Sequence, residues 1–222
     1  MRKNMKFQFN EFKSEGEYDY IQIELDAILV GDVDANKIQS NGQPQIKGNV
    51  KTKEFIFTGL GYVEGNIETK KIECHSRTTI KGNLNAERGL IDGKLECEGD
   101  VSIDKLELNG DLIVSGNLKC NRIVGKGNII TKNLEVETMN LEVTKRTNIE
   151  KISGNKVKIF AKEQTGMFSK LFSKGELPFI AEIDADRVSV TNIKANSITC
   201  AKIQVEGNSD IGKKIKREAR FE

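Results

Sequence analysis

The chain has 222 residues, with 35 Lys and Arg against 33 Asp and Glu, and a formal net charge of +2. A balance this even excludes a strong overall field of the kind that gathers nucleic acid or an acidic substrate. No apolar run is long enough for a transmembrane helix, and the opening Met1-Arg2-Lys3-Asn4-Met5-Lys6 is not followed by the apolar stretch of a secretory signal, so a cytoplasmic protein is expected.

Residues 1–16 are polar and basic and are expected to form an N-terminal tail, with the alternative that Phe7, Phe9 and Phe12 fold across the end of the array as a short capping strand. Residues 17–160 form the main array. Within it Gly31, Gly48, Gly65, Gly82, Gly99 and Gly116 stand 17 residues apart, each followed by Asp or Asn and then by an aliphatic residue. A unit this short cannot bury a core alone and must stack on its neighbours.

Aligned on these glycines, the chain shows apolar columns in pairs separated by one residue, which is the alternation of a strand. The first pair is Val33, Val50, Ile67, Leu84, Val101 and Leu118 with Ala35, Thr52, Thr69, Ala86, Ile103 and Cys120. The second begins at Ile38 and Ser40, and the third is marked by Ile46, Val63, Ile80, Cys97, Val114 and Thr131. Three short strands per repeat, divided by polar corners, predict an all-β triangular parallel β-helix of about 17 residues per coil. A second glycine series, Gly42, Gly59, Gly93, Gly110 and Gly127, marks another corner, where Gly and Asx are expected for their ease in left-handed conformations.

After Gly116 the spacing blurs, although alternating apolar pairs run on to Val157 and Ile159. Residues 161–180 are expected to be an insertion loop. In it Met167, Phe168, Leu171 and Phe172 fall at one-turn spacing with Lys170 and Lys174 beside them, a candidate membrane-binding foot. The competing expectation is that this segment covers the flank of the rod. Residues 181–207 resume the array on a five-residue beat, Ile183, Val188, Ile193, Ile198 and Ile203, followed two positions later by Ala185, Val190, Ala195, Cys200 and Val205. Nine or ten coils in all are expected, about 40 to 50 Å of rod, with 208–222 as a basic C-terminal tail.

The Gly-Asn-Val, Gly-Asn-Ile and Gly-Asn-Leu corners of residues 31–132 resemble those of the bactofilins, bacterial polymer-forming cytoskeletal proteins. The resemblance implies a right-handed coil and nucleotide-independent, end-to-end assembly into filaments. The short Met-Phe-Ser-Lys at 167–170 also looks like the membrane-targeting motif of that family, which sits at the N-terminus there and is internal here. The partners expected are other copies of this chain, the inner face of the cell membrane, and recruited proteins the sequence does not specify; no nucleic acid and no cofactor are expected.

Enzymatic readings are weaker. A β-helical hexapeptide-type acyltransferase needs a histidine base, and His75 is the only histidine, without a glycine-rich acyl-donor context. Glu96, Glu98 and Asp100 stand where a carbohydrate-cleaving β-helix could carry carboxylates, but they read as outward strand positions. Cys74, Cys97, Cys120 and Cys200 fall in apolar columns, not in metal-ligand spacing. No catalytic or metal residue is therefore assigned. A corner column, Lys37, Glu54, Lys71, Arg88, Lys105 and Arg122, is a candidate basic edge that could attract anionic lipid or nucleic acid, with a solvated edge, interrupted by Glu54, as the simpler reading. The expectation is a nonenzymatic scaffold, against the alternatives of an acyltransferase and a monomeric scaffold with capped ends.

Overall fold

The structure, a computed structural model, describes residues 3–7, 10–13, 17–162 and 177–217. Among them it contains strands and turns and no helix, and the strands form a parallel β-helix of about 11 turns. Every strand pairing is parallel, with partners near 17 residues apart through the centre, as in Val33↔Val50 and Val50↔Ile67.

Each central coil has three faces but only two strands. The strand Leu84–Ile91 buries Leu84, Ala86, Gly89 and Ile91 and exposes Glu87 and Arg88 in succession, so it turns a corner between the first and second faces without losing its ladder. The shorter strand Lys94–Cys97 is the third face, burying Leu95 and Cys97. The same pattern repeats in Val50–Phe57 with Gly61–Val63 and in Val101–Leu108 with Asp111–Val114. The predicted columns form one continuous core, in which Phe55 and Phe57 meet edge to face with centroids 4.4 Å apart.

Corner length explains where the glycine spacing stops. Between the first and second faces two residues suffice, such as Asn36 and Lys37, whereas the other corners of the central coils take three, as in Asn41-Gly42-Gln43 and Lys47-Gly48-Asn49. The glycines occupy only the three-residue corners. From Asn128 onward the corners shorten, and the strands Asn128–Glu142, Asn148–Phe160 and Phe179–Thr191 each run across all three faces. Inward pairs every five residues then give the beat seen in the sequence.

The corner glycines are needed for a different reason from the one expected. Positive φ occurs among the described glycines only at Gly31, Gly125 and Gly207. At Gly48, Gly59 and Gly65 an added Cβ would run into the carbonyl oxygen of the glycine one coil earlier, and at Gly82 it would lie 2.6 Å from the Gly65 carbonyl carbon. These corners stack backbone on backbone, and a side chain has no room between them.

The rod is longer than the array read from the sequence. Lys3–Phe7 pairs with Glu17–Ile23 and Asn10–Lys13 with Ala27–Val30, so the expected tail at 1–16 carries a coil, with Met5 and Phe12 packed against the core. At the other end Asp210–Lys216 pairs with Lys194–Cys200, inside the tail expected at 208–222. The insertion does not interrupt the stack either. Asn148–Phe160 and Phe179–Thr191 pair in register from Asn148↔Phe179 to Phe160↔Thr191, so the intervening segment leaves and re-enters at the corner between the second and third faces. Phe179 and Ile180, expected in the loop, belong to a strand.

Candidate functional surfaces

The residue after each corner glycine builds a polar spine. The backbone N–H of Asn49 donates to Asp32 Oδ1 (2.7 Å), Asn66 to Asn49 (2.9 Å), Asn83 to Asn66 (2.8 Å), Asp100 to Asn83 (2.8 Å) and Asn117 to Asp100 (2.7 Å). Asn133 Nδ2 extends it by donating to Asn117 Oδ1 at 3.0 Å. Only Asp and Asn place an acceptor at this distance from their own backbone, so the Asx column joins coil to coil where the strand ladder breaks.

His75 belongs to a second polar column on the neighbouring corner. Its Nδ1 lies 2.9 Å from Asp92 Oδ2 and its Nε2 3.2 Å from Glu73 Oε2, and Asn109 Nδ2 donates to Asp92 Oδ1 at 3.1 Å. The Glu73 hydrogen bond first, and then Asp92, raise the imidazole above its ordinary pKa. With both ring nitrogens engaged by carboxylates, His75 has no nitrogen left facing a substrate hydroxyl or thiol.

The outward carboxylates are each held by a neighbour. Glu96 accepts from Arg77 (3.0 Å from Nη2) and pairs with Lys94, and the Lys94 contact chiefly holds its carboxyl below the usual range. Glu98 pairs with Lys81, and Asp100 is a rung of the spine. A shallow groove of about 570 Å³ runs beside the first corner, but its lining alternates Lys51, Lys53 and Lys70 with Glu68, Glu87 and Asp104, without convergence on one point.

All four cysteines are unpaired and buried. Burial pushes the Cys74 thiol up to about 12, Cys97 to about 11 and Cys120 to about 12, which suppresses the reactive thiolate. Among the described residues no group of three or more His, Cys, Asp or Glu is placed to hold a metal ion, and no helix is long and apolar enough to cross a membrane. The candidate foot, Met167, Phe168, Lys170, Leu171, Phe172 and Lys174, lies outside the described residues; its flanks, Ala161 and Pro178, are fixed by hydrogen bonds to Thr191 and Lys194.

The two ends of the rod differ in chemistry, which the sequence did not reveal. At the N-terminal end Met5, in register with Ile21, and Phe12, in register with Leu29, continue apolar columns and pack against the core, while Lys3 is the partner of Tyr18. At the C-terminal end Ile203 and Val205 keep the expected second-face register over Val188 and Val190, but Ile203 is 40% exposed and Val205 only partly buried, with no further coil over them among the described residues. In the last strand the register puts Lys214 over Ile198 and Lys216 over Cys200, while Ile215 takes the outward position opposite Thr199 and is 39% exposed. Cations therefore stand in columns that the coils just before fill with core residues such as Ile183 and Ile198.

The predicted corner column is also in place. Lys37, Glu54, Lys71, Arg88, Lys105 and Arg122 are successive ladder partners on the corner between the first and second faces. Lys37 pairs with Glu54 at 3.3 Å and Lys71 with Glu73 at 2.5 Å.

Comparison of the chain with protein-family models, with curated proteins and with solved structures gives no match in any of the three.

Proposed function

We propose that this chain is a nonenzymatic structural protein, a bactofilin-like rod that joins other copies end to end, without a nucleotide, into a filament serving as a scaffold. The observation that carries the reading is the N-terminal end. Among the described residues the strands Lys3–Phe7 and Asn10–Lys13 each pair on one side only, and Met5 and Phe12 continue the apolar columns of the core. Such an edge offers both main-chain groups and apolar surface to another coil. Contact with the inner face of the cell membrane through residues 164–178 belongs to the same proposal, since many weak feet along a filament would bind firmly where one would not.

A second reading is favoured by Lys214 and Lys216. Inward-column charges at an edge oppose further strand addition, so chains joined at one end only would form a finite rod of two. Negative-stain microscopy with and without anionic vesicles, alongside mass photometry, separates the outcomes. Filaments support the first reading and a uniform dimer the second. Monomers across salt and concentration overturn both, and vesicle binding unchanged in Phe168→Ala with Phe172→Ala removes the foot.

A further inference from the structure

The basic corner column does not stop at Arg122. Through the ladder Arg122 is partnered by Thr138, Thr138 by Lys156, Lys156 by Arg187 and Arg187 by Lys202. From Arg88 to Lys202 the corner thus presents Arg88, Lys105, Arg122, Lys156, Arg187 and Lys202 on seven successive rungs, interrupted only by Thr138. Lys and Arg are 35 of 222 residues in the chain, so six in seven is a strong local enrichment.

All six side chains are exposed, and none makes an ion pair among the described residues. Two of the acidic residues beside them are committed elsewhere: Glu87 pairs with Lys70 at 3.9 Å, and Asp104 accepts from Asn121 Nδ2 within its own column. Strand spacing puts these cations roughly 4.8 Å apart along a straight edge of roughly 29 Å. Like charges held at that spacing repel, and a chain of anions laid along them removes the repulsion.

We propose that this edge is a binding site for a linear chain of phosphates. The row is a single file one residue wide. On one side it is bordered by Glu87, Asp104, Glu137 and Asp186, and on the other by mostly neutral positions such as Leu90, Val124, Asn140 and Ser189. A bilayer laid on this edge would press those carboxylates against its headgroups, whereas a single chain fits over the cations and the neutral flank. No exposed large apolar residue lies on the edge between Arg88 and Arg187 to enter a bilayer. The same flank lacks an aromatic platform, so recognition is of phosphate and not of bases. The three arginines provide planar forks for phosphate oxygens, and the three lysines provide mobile point charges.

The test is fluorescence anisotropy of labelled inorganic polyphosphate and labelled oligothymidylate with the full chain. Wild type binds both, with log affinity falling against log salt at a slope of about −4, the value for about six phosphates on a flexible strand. Arg122→Glu with Lys156→Glu weakens binding by roughly tenfold or more. Lys132→Glu with Lys145→Glu, the same charge change away from this corner, alters it by less than about threefold. Circular dichroism verifies the fold of each, with Arg122→Gln and Lys156→Gln replacing the first pair if it fails to fold. Equal losses in the two pairs, absence of binding at low salt, or retention by phosphatidylserine vesicles without binding to either polymer overturns the proposal.

Discussion

Gly82→Ala decides between two reasons for a corner glycine, because they predict opposite signs. If glycine were present only for conformational freedom, alanine at a negative φ would stabilise the protein by about 0.4 to 1 kcal/mol through the unfolded chain. The structure predicts destabilisation. The new methyl would lie 2.6 Å from Asn66 Oδ1 and from the Gly65 carbonyl, so the two coils must part at this corner. Overpacking of this kind costs about 1 to 3 kcal/mol, and the parting also strains the 2.8 Å bond from Asn83 N–H to Asn66 Oδ1, worth about 1 kcal/mol. Set against the unfolded-state gain, the net loss is roughly 1 to 3.5 kcal/mol. Urea unfolding followed by circular dichroism measures it. Gly89→Ala is the control, since its methyl would meet only the side-chain ends of Ile103 and Leu106 at 3.2 Å, which can yield, and its change should stay within about 1 kcal/mol. Gly82→Ala as stable as wild type would refute the stacking argument.

Two further outcomes follow from the end and the corner. Lys214→Val with Lys216→Val restores the apolar columns at the C-terminal end, so light scattering after size exclusion should detect longer assemblies than wild type at equal concentration; an unchanged mass would show that the lysines are not a stop. His75 has a folded pKa above its ordinary 6.5, so its contribution is fully present below that value and fades as pH rises through the raised folded value. The difference in urea midpoint between wild type and His75→Gln should accordingly be larger at about pH 5.5 than at about pH 8.5, and the reverse order would contradict the Glu73 and Asp92 pairing.

The core was legible because one-sided burial imposes a period of two on every face, and Val33, Val50, Ile67 and their column could be read by counting alone. The register also located all four cysteines. Covering is not periodic, however: alternation identifies Ile203 and Val205 as inward residues but says nothing about whether another coil follows. The first coil carries no glycine mark in the sequence, because the glycine columns run back to Ser14 and Leu25, and Leu25 is an exposed corner residue on which Gly42 stacks. The basic edge was cut short at Arg122 for a related reason. Beyond it the offset between partners changes to 16, 18, 31 and 15 residues, as in Arg122↔Thr138, Thr138↔Lys156, Lys156↔Arg187 and Arg187↔Lys202, and fixed-period counting cannot follow those steps.

The corner that admits residues 161–178 has a use beyond this chain's own biology. Coils on both sides close the same ladder whether that corner holds three residues or eighteen, and the added closure entropy is roughly 1.5 kcal/mol. Foreign peptides could therefore be grafted at that position, and assembly of the rod would array them at a fixed pitch, as a display scaffold for antigens or enzymes.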